Sequence, residues 1–126
     1  MIAQDVRLAA FNYVLEEDRK LPEKDQTIFK LQPLSYSQTR VIDDLLGTAF
    51  RNKTNPLGTM NHKLLNYGLM GWENMKDNNG GEIKFKRNKE GDIPDDLFMC
   101  FTREQRSELA SEIWGGSKIE DEEEKN

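Results

Sequence analysis

Cysteine and histidine are nearly missing from this chain of 126 residues, which holds one of each, Cys100 and His62. A single cysteine excludes an internal disulfide framework and fits a reducing compartment. One Cys and one His cannot supply the ligand set of a tetrahedral zinc site. No apolar run approaches the ~18 residues of a membrane helix. The opening Met1-Ile2-Ala3-Gln4-Asp5-Val6-Arg7 has neither the basic start nor the apolar stretch of a signal peptide. Hydrophobic residues are 36% of the chain and charged ones 33%, with a mean hydropathy of −0.82. That supports one modest core, in a chain long enough for one domain and too short for two. These shortages predict a cytosolic, single-domain protein without catalytic machinery.

The formal charge of −5 is unevenly placed. Residues 120–126 read Glu-Asp-Glu-Glu-Glu-Lys-Asn and carry five of the 23 acids against one of the 18 bases. The rest is close to neutral, so the acidity reads as a disordered tail over 120–126 behind one domain over 1–119, which the elements described next predict to be α+β, an N-terminal antiparallel hairpin and a further short strand packed with three to four helices. A duplex-DNA binder needs a basic footprint, and none is visible. A DNA mimic needs acids spread over its body, and they are not.

Several elements are legible. Phe11, Tyr13 and Leu15 alternate with Asn12, Val14 and Glu16, and Thr27–Gln32 puts Phe29 and Leu31 on one face; the two segments predict an antiparallel hairpin with a long polar connection. Residues 1–10 add a short apolar patch (Val6, Leu8, Ala9, Ala10) without a clear period. Ser35-x-x-Gln38 has capping-box form, and Val41, Ile42, Leu45 and Leu46 form an apolar stripe, so a helix is expected over 35–46 with Gly47 at its end. Arg51–Gly58 reads as an exposed loop. Leu64, Leu65, Leu69 and Trp72 predict a helix from Met60 to Asn74, although Gly68 and Gly71 within it suggest close approach of another backbone or an early end near Gly71. Lys76-Asp77-Asn78-Asn79-Gly80-Gly81 predicts a turn, Glu82–Lys86 a further short strand with Ile83 and Phe85 inward, and Asn88–Asp92 another polar turn. Pro94 opens a short helix over Asp95–Phe101. A second capping box, Thr102-x-x-Gln105, starts a last helix whose face is Leu109, Ala110 and Ile113. Gly115-Gly116 should end it, and Ser117 would cap a further turn.

No constellation with catalytic spacing emerges. His62, between Asn61 and Lys63 near a helix start, reads as a solvated polar residue. Cys100, among Phe98, Met99 and Phe101, reads as an inert buried thiol. Asp77–Glu82 looks superficially like a calcium loop, but the sixth position is Glu82 rather than Gly and the twelfth Asn88 rather than Glu. A plain hairpin turn fits better. Neither Gly80-Gly81 nor Gly115-Gly116 has the spacing of a phosphate loop. The paired acids Glu16-Glu17, Asp43-Asp44 and Asp95-Asp96 belong on solvated faces. No catalytic, cofactor-binding or metal-ligating residue is expected. Trp114, beside two glycines at a helix end, is the first aromatic to expect at a partner surface, with Ile113 and Ile119 beside it.

Three stretches carry a resemblance. They are Tyr13-Val14-Leu15-Glu16-Glu17-Asp18-Arg19 with Leu21-Pro22 and Thr27–Ser35; Gly68-Leu69-Met70-Gly71-Trp72-Glu73-Asn74 with Asp77, Gly80 and Phe85; and Arg106–Ile113 with the closing Glu-Lys-Asn. Together they resemble small proteins encoded among the tail and head genes of long-tailed bacteriophages, most of all tail assembly chaperones. Chaperones of this kind are often made in two lengths by ribosomal slippage. Glu124-Lys125-Asn126 can be encoded GAA-AAA-AAC, which contains a slippery A-AAA-AAY heptamer.

The resemblance implies a non-covalent mechanism in the host cytoplasm, with no cofactor, nucleic acid or membrane involved and self-association as an accompanying property. Many copies would cover short stretches of the tape measure protein, a long, helical, apolar-striped chain, until tail-tube subunits displace them. Two rival expectations stand beside it. One is a structural virion component, such as a head–tail connector or tail-associated subunit, with large ring-forming interfaces. The other is a small phage inhibitor that occludes a host defence protein.

Overall fold

Alternation of apolar and polar residues sets the first two strands. In the computed structural model, which describes residues 1–2 and 9–125 and side chains through residue 117, β1 (Phe11–Tyr13) pairs antiparallel with β2 (Ile28–Leu31). Phe11 stands opposite Leu31 and Tyr13 opposite Phe29, as the expected hairpin requires. The polar connection folds as two single 3₁₀ turns, Glu16–Asp18 and Glu23–Asp25. The apolar patch of residues 1–10 lies mostly outside the described residues.

The third strand is not where the periodicity puts it. Helix α2 spans Leu57–Gly68, and the chain then straightens into β3 (Leu69–Glu73), antiparallel to β2 with Trp72 opposite Phe29. The sheet order is β1-β2-β3, so the short central strand is shared. Gly68 explains the break. Its carbonyl accepts the Gln32 N–H at 2.8 Å, and a Cβ there would stand 2.5 Å from Ile113 Cγ2 and 2.8 Å from the Gln32 carbonyl oxygen. The close approach falls at Gly68, and the helix also ends there, three residues before the early end expected near Gly71. The strand expected over residues 82–86 does not form; the segment makes only an isolated bridge between Lys76 and Glu82. Ile83 and Phe85 still turn onto the core.

Both capping boxes form. Ser35 Oγ accepts from Gln38 N at 3.3 Å, and Gln38 Oε1 accepts from Ser35 N at 3.0 Å. Helix α1 (Tyr36–Asn52) runs straight through Gly47 and ends at Lys53, whose φ of 55° supplies the left-handed turn expected of a glycine. The expected loop therefore shrinks. Pro94 starts a four-residue helix, α3 (Asp95–Phe98), shorter than Asp95–Phe101. In the second box, Thr102 N donates to Gln105 Oε1 at 2.8 Å and Gln105 N to Thr102 Oγ1 at 3.1 Å, opening α4 (Arg103–Lys125).

Gly115-Gly116 does not stop α4. Ser117, expected as a new cap, is instead a buried mid-helix residue. Its hydroxyl donates to the Ile113 carbonyl at 2.8 Å and accepts from Leu34 N at 2.7 Å, and Gly116 lies against Phe11 and Pro33. These ties hold the helix to the segment ahead of α1 and offset the low helix propensity of two glycines. The helical backbone continues through Lys125, past the start of the expected acidic tail; Asn126 and the side chains beyond residue 117 lie outside the described residues.

The fold is α+β, with a core that takes Phe29 and Leu31 from the sheet, Ile42, Leu64 and Leu65 from α1 and α2, and Leu109 and Ile113 from α4. Each such side chain contributes roughly 1.5–3 kcal/mol on burial. Trp72 meets Phe29, Phe85 and Phe101 edge-on, and its indole N–H donates to the Ile83 carbonyl at 2.7 Å. Among the described residues no helix is long and apolar enough to cross a membrane.

One carboxylate ties α4 to the strands. Glu108 Oε2 accepts from the Tyr13 hydroxyl at 2.6 Å and from Glu16 N at 2.9 Å. Burial, this hydrogen bond and the negative charges of Glu108 and Glu112 hold the Tyr13 phenol far above its ordinary value of 10.0, against a smaller opposing effect of Arg19. The folded chain thus keeps a proton that the unfolded chain releases. The stability gained is present below pH 10.0 and is lost as pH rises beyond it. In urea titrations the stability difference between wild type and Tyr13→Phe should shrink or reverse above that pH; a difference independent of alkaline pH would contradict this.

Candidate functional site

Exposed apolar side chains show where the surface is unlike its surroundings. Met99 is 80% exposed, Phe50 86%, Tyr36 79% and Leu57 43%. Two of these, Met99 and Leu57, line one groove, where the start of α2 faces α3 and the start of α4. Its larger part encloses about 580 Å³ among Leu57, Asn61, His62, Leu65, Phe98 and Arg103, with Met99 at its edge. A second part, about 400 Å³, continues along α4 past Arg103 to Ser107 and Ser111. Leu65 and Phe98 are buried and form the apolar floor. These volumes suit a large side chain or a short ligand fragment.

Local sequence explains the shape. With only four residues, α3 can turn Leu97 and Phe98 inward while Phe101 follows at the corner, which leaves Met99 and Cys100 outside. Arg106 fixes that corner by donating to the carbonyls of Phe98 (3.1 Å) and Phe101 (2.7 Å). Its charge is committed to the end of α3. Arg103, the first residue of α4, lines both parts of the groove and has no hydrogen-bond or ion-pair partner among the described residues. His62 is exposed as expected; its ring lies 4.9 Å from that of Phe98, and Nε2 is 3.1 Å from Asn66 Nδ2.

The three expected partner residues fare differently. Ile113 is fully buried, and it packs against the Gly68 backbone where α2 meets α4. It is a core residue, unavailable to a partner. Trp114 is half-buried and packs on the core, so it is not the exposed aromatic expected. Ile119 lies beyond the residues whose side chains are described. Cys100 is exposed rather than buried, with its thiol 3.5 Å from the Asp96 carbonyl, because the short α3 turns it outward. Asp77–Glu82 is the plain turn expected: Asp77 Oδ1 accepts from Asn79 N and Gly81 N, and Gly80 takes φ 81°. Among the described residues no group of acids, His and Cys is placed to hold a metal ion.

Sequence reasoning missed the groove. Its signal was faint: Leu97–Phe101 is apolar throughout, and only the length of α3 decides which residue of that run faces out. The groove has an apolar floor and a polar wall, with no nucleophile held against a base. Comparisons of the chain with protein-family models, curated proteins and solved structures return no match.

Proposed function

We propose that the protein is a tail assembly chaperone of a long-tailed bacteriophage, which coats an amphipathic stretch of the tape measure protein in the host cytoplasm without covalent chemistry. The observation that carries this reading is the groove between α2, α3 and α4, with buried Leu65 and Phe98 as its floor and exposed Met99 and Leu57 at its edge. It accepts one apolar side chain of a client helix, while Asn61 and Arg103 satisfy polar groups flanking that anchor. The resemblance of the Tyr13–Ser35, Gly68–Asn74 and Arg106–Ile113 stretches to phage tail proteins supplies the identity of the client. A single groove of this size binds weakly, and weak contacts repeated along one client give reversible coating.

Co-expression with tape measure segments tests it. Wild-type chain should co-purify with a client segment and keep it soluble. The double variant Leu57→Asp/Met99→Asp, altered only at exposed positions, should fold normally and lose about tenfold or more in capture. Unchanged capture by that variant would remove the groove from the account. Mass spectrometry of finished particles should not find the chain; finding it there in stoichiometric amount would instead make it a structural component of the virion.

A further inference from the structure

Helix α1 is covered on one side only. Of its 17 residues just Ile42 and Ala49 are buried. By the helical period the opposite side carries Arg40, Asp43, Asp44, Gly47, Phe50 and Arg51, and Arg40, Asp43, Gly47 and Phe50 follow one another in steps of three and four. Phe50 is the outlier of this seam, a phenyl ring 86% exposed. One turn before it, Gly47 leaves a gap. Among the described residues a Cβ there would meet only Nη1 of its own Arg51, at 3.6 Å. Asp44 and Arg51 flank ring and gap on the same edge of the seam, both exposed. Arg51 Nη2 donates to the Thr48 hydroxyl at 3.2 Å, and Asp44 has no hydrogen-bond or ion-pair partner among the described residues.

Ring, gap and charges are complementary to themselves in reverse order. When two helices pack antiparallel along such a seam, seam residues face seam residues and flanking residues meet flanking residues. We propose that α1 pairs with α1 of a second copy about a two-fold axis midway between Gly47 and Phe50. That axis lays Phe50 of each copy over the glycine gap of the other. It also brings Asp44 of each copy to Arg51 of the other, so two identical ion pairs close the same edge. The surface is matched by itself, and the assembly therefore stops at a dimer. The overlap runs from Asp43 to Lys53 in each copy. It is small for a specific interface, and the dimer dissociates on dilution. Asp44, Gly47, Phe50 and Arg51 do not line the groove between α2, α3 and α4, so the contact does not rest on the chaperone reading.

Sedimentation velocity over a concentration series of the full chain tests it. Wild type should pass from monomer to dimer, and to nothing larger, by about 1 mM. Phe50→Gln removes the ring and Gly47→Leu fills the gap that receives it, and each should raise the dimer Kd about tenfold or more. Both changes stand in solvent on a helix, so neither should lower the urea midpoint in dilute solution. Asp44→Lys and Arg51→Glu should each weaken the dimer by setting like charges opposite one another. An equimolar mixture of those two chains should form a heterodimer, because Lys then faces Glu across one pair and Arg faces Asp across the other. A wild-type chain still monomeric at about 1 mM would overturn the proposal. So would a dimer that Phe50→Gln and Gly47→Leu leave as tight as wild type, or charge variants that do not recover on mixing. The same variants should capture client segments as wild type does, which keeps this outcome separate from that of the groove.

Discussion

Gly68→Ala should destabilise the fold by about 3 kcal/mol, even though alanine is the better helix former by ~1 kcal/mol. The position does not need an unusual φ; it needs space. A Cβ would lie 2.5 Å from Ile113 Cγ2, 2.9 Å from Ile113 Cδ1 and 2.8 Å from the Gln32 carbonyl oxygen. The Ile113 side chain is fully buried and has nowhere to swing, and the oxygen belongs to backbone just beyond β2. Either α2 withdraws from α4 or the Gln32–Gly68 hydrogen bond opens. Urea denaturation measures the loss. Adding Ile113→Ala removes two of the three clashes, so the double variant should be clearly less destabilised than the sum of the singles. A Gly68→Ala chain as stable as wild type would mean that the α2–α4 junction is looser than described.

Arg87→Met should cost about 2–4 kcal/mol, the second large effect. Arg87 lies in the segment after the Asp77–Glu82 turn, yet its guanidinium holds three separate pieces of backbone. One nitrogen donates to the carbonyls of Asn66 (2.9 Å) and Gly91 (2.7 Å), the other to that of Leu69 (2.7 Å). Two of these acceptors flank the place where α2 becomes β3. A cation at a helix C-terminus also meets the negative end of the dipole. Methionine keeps an aliphatic stem near Phe85, over whose ring the guanidinium carbon now sits at 5.6 Å, and loses the donors. Arg87→Lys should recover only part of the stability, since an ammonium cannot fork across three carbonyls in this geometry. If Met and Lys variants both match wild type in urea midpoint, the guanidinium is not what closes the α2–β3 corner.

These two residues also show what the sequence could and could not convey. Features decided within one turn were readable: both capping boxes and the start of α3 at Pro94 stand where local chemistry places them, and the alternation in β1 and β2 was enough to pair them across a long connection. Features decided by distant partners were not. Leu64, Leu65, Leu69 and Trp72 fit a helical repeat, yet Leu69–Glu73 becomes a strand because β2 is there to pair with it. Gly47 and Gly115-Gly116 look like terminators, but helices pass through them where packing or the Ser117 hydroxyl holds the backbone. Ile113 is a core residue rather than a partner residue because Gly68 lets α2 come within contact of it, and a helix stripe does not say how tightly its neighbour approaches. The groove escaped for the same reason in reverse: four residues of α3 fix the outward position of Met99, and no periodicity exists over so short a span.

β3 has its own safeguard. One of its edges is taken by β2, and side chains tie it to the 83–87 segment, the Trp72 indole donating to the Ile83 carbonyl and the Arg87 guanidinium to the Leu69 carbonyl. No register passes through such rivets. Because Arg87 also holds the Gly91 carbonyl, a change in chain length between Asn88 and Asp92 pulls on the same guanidinium that fixes the start of β3.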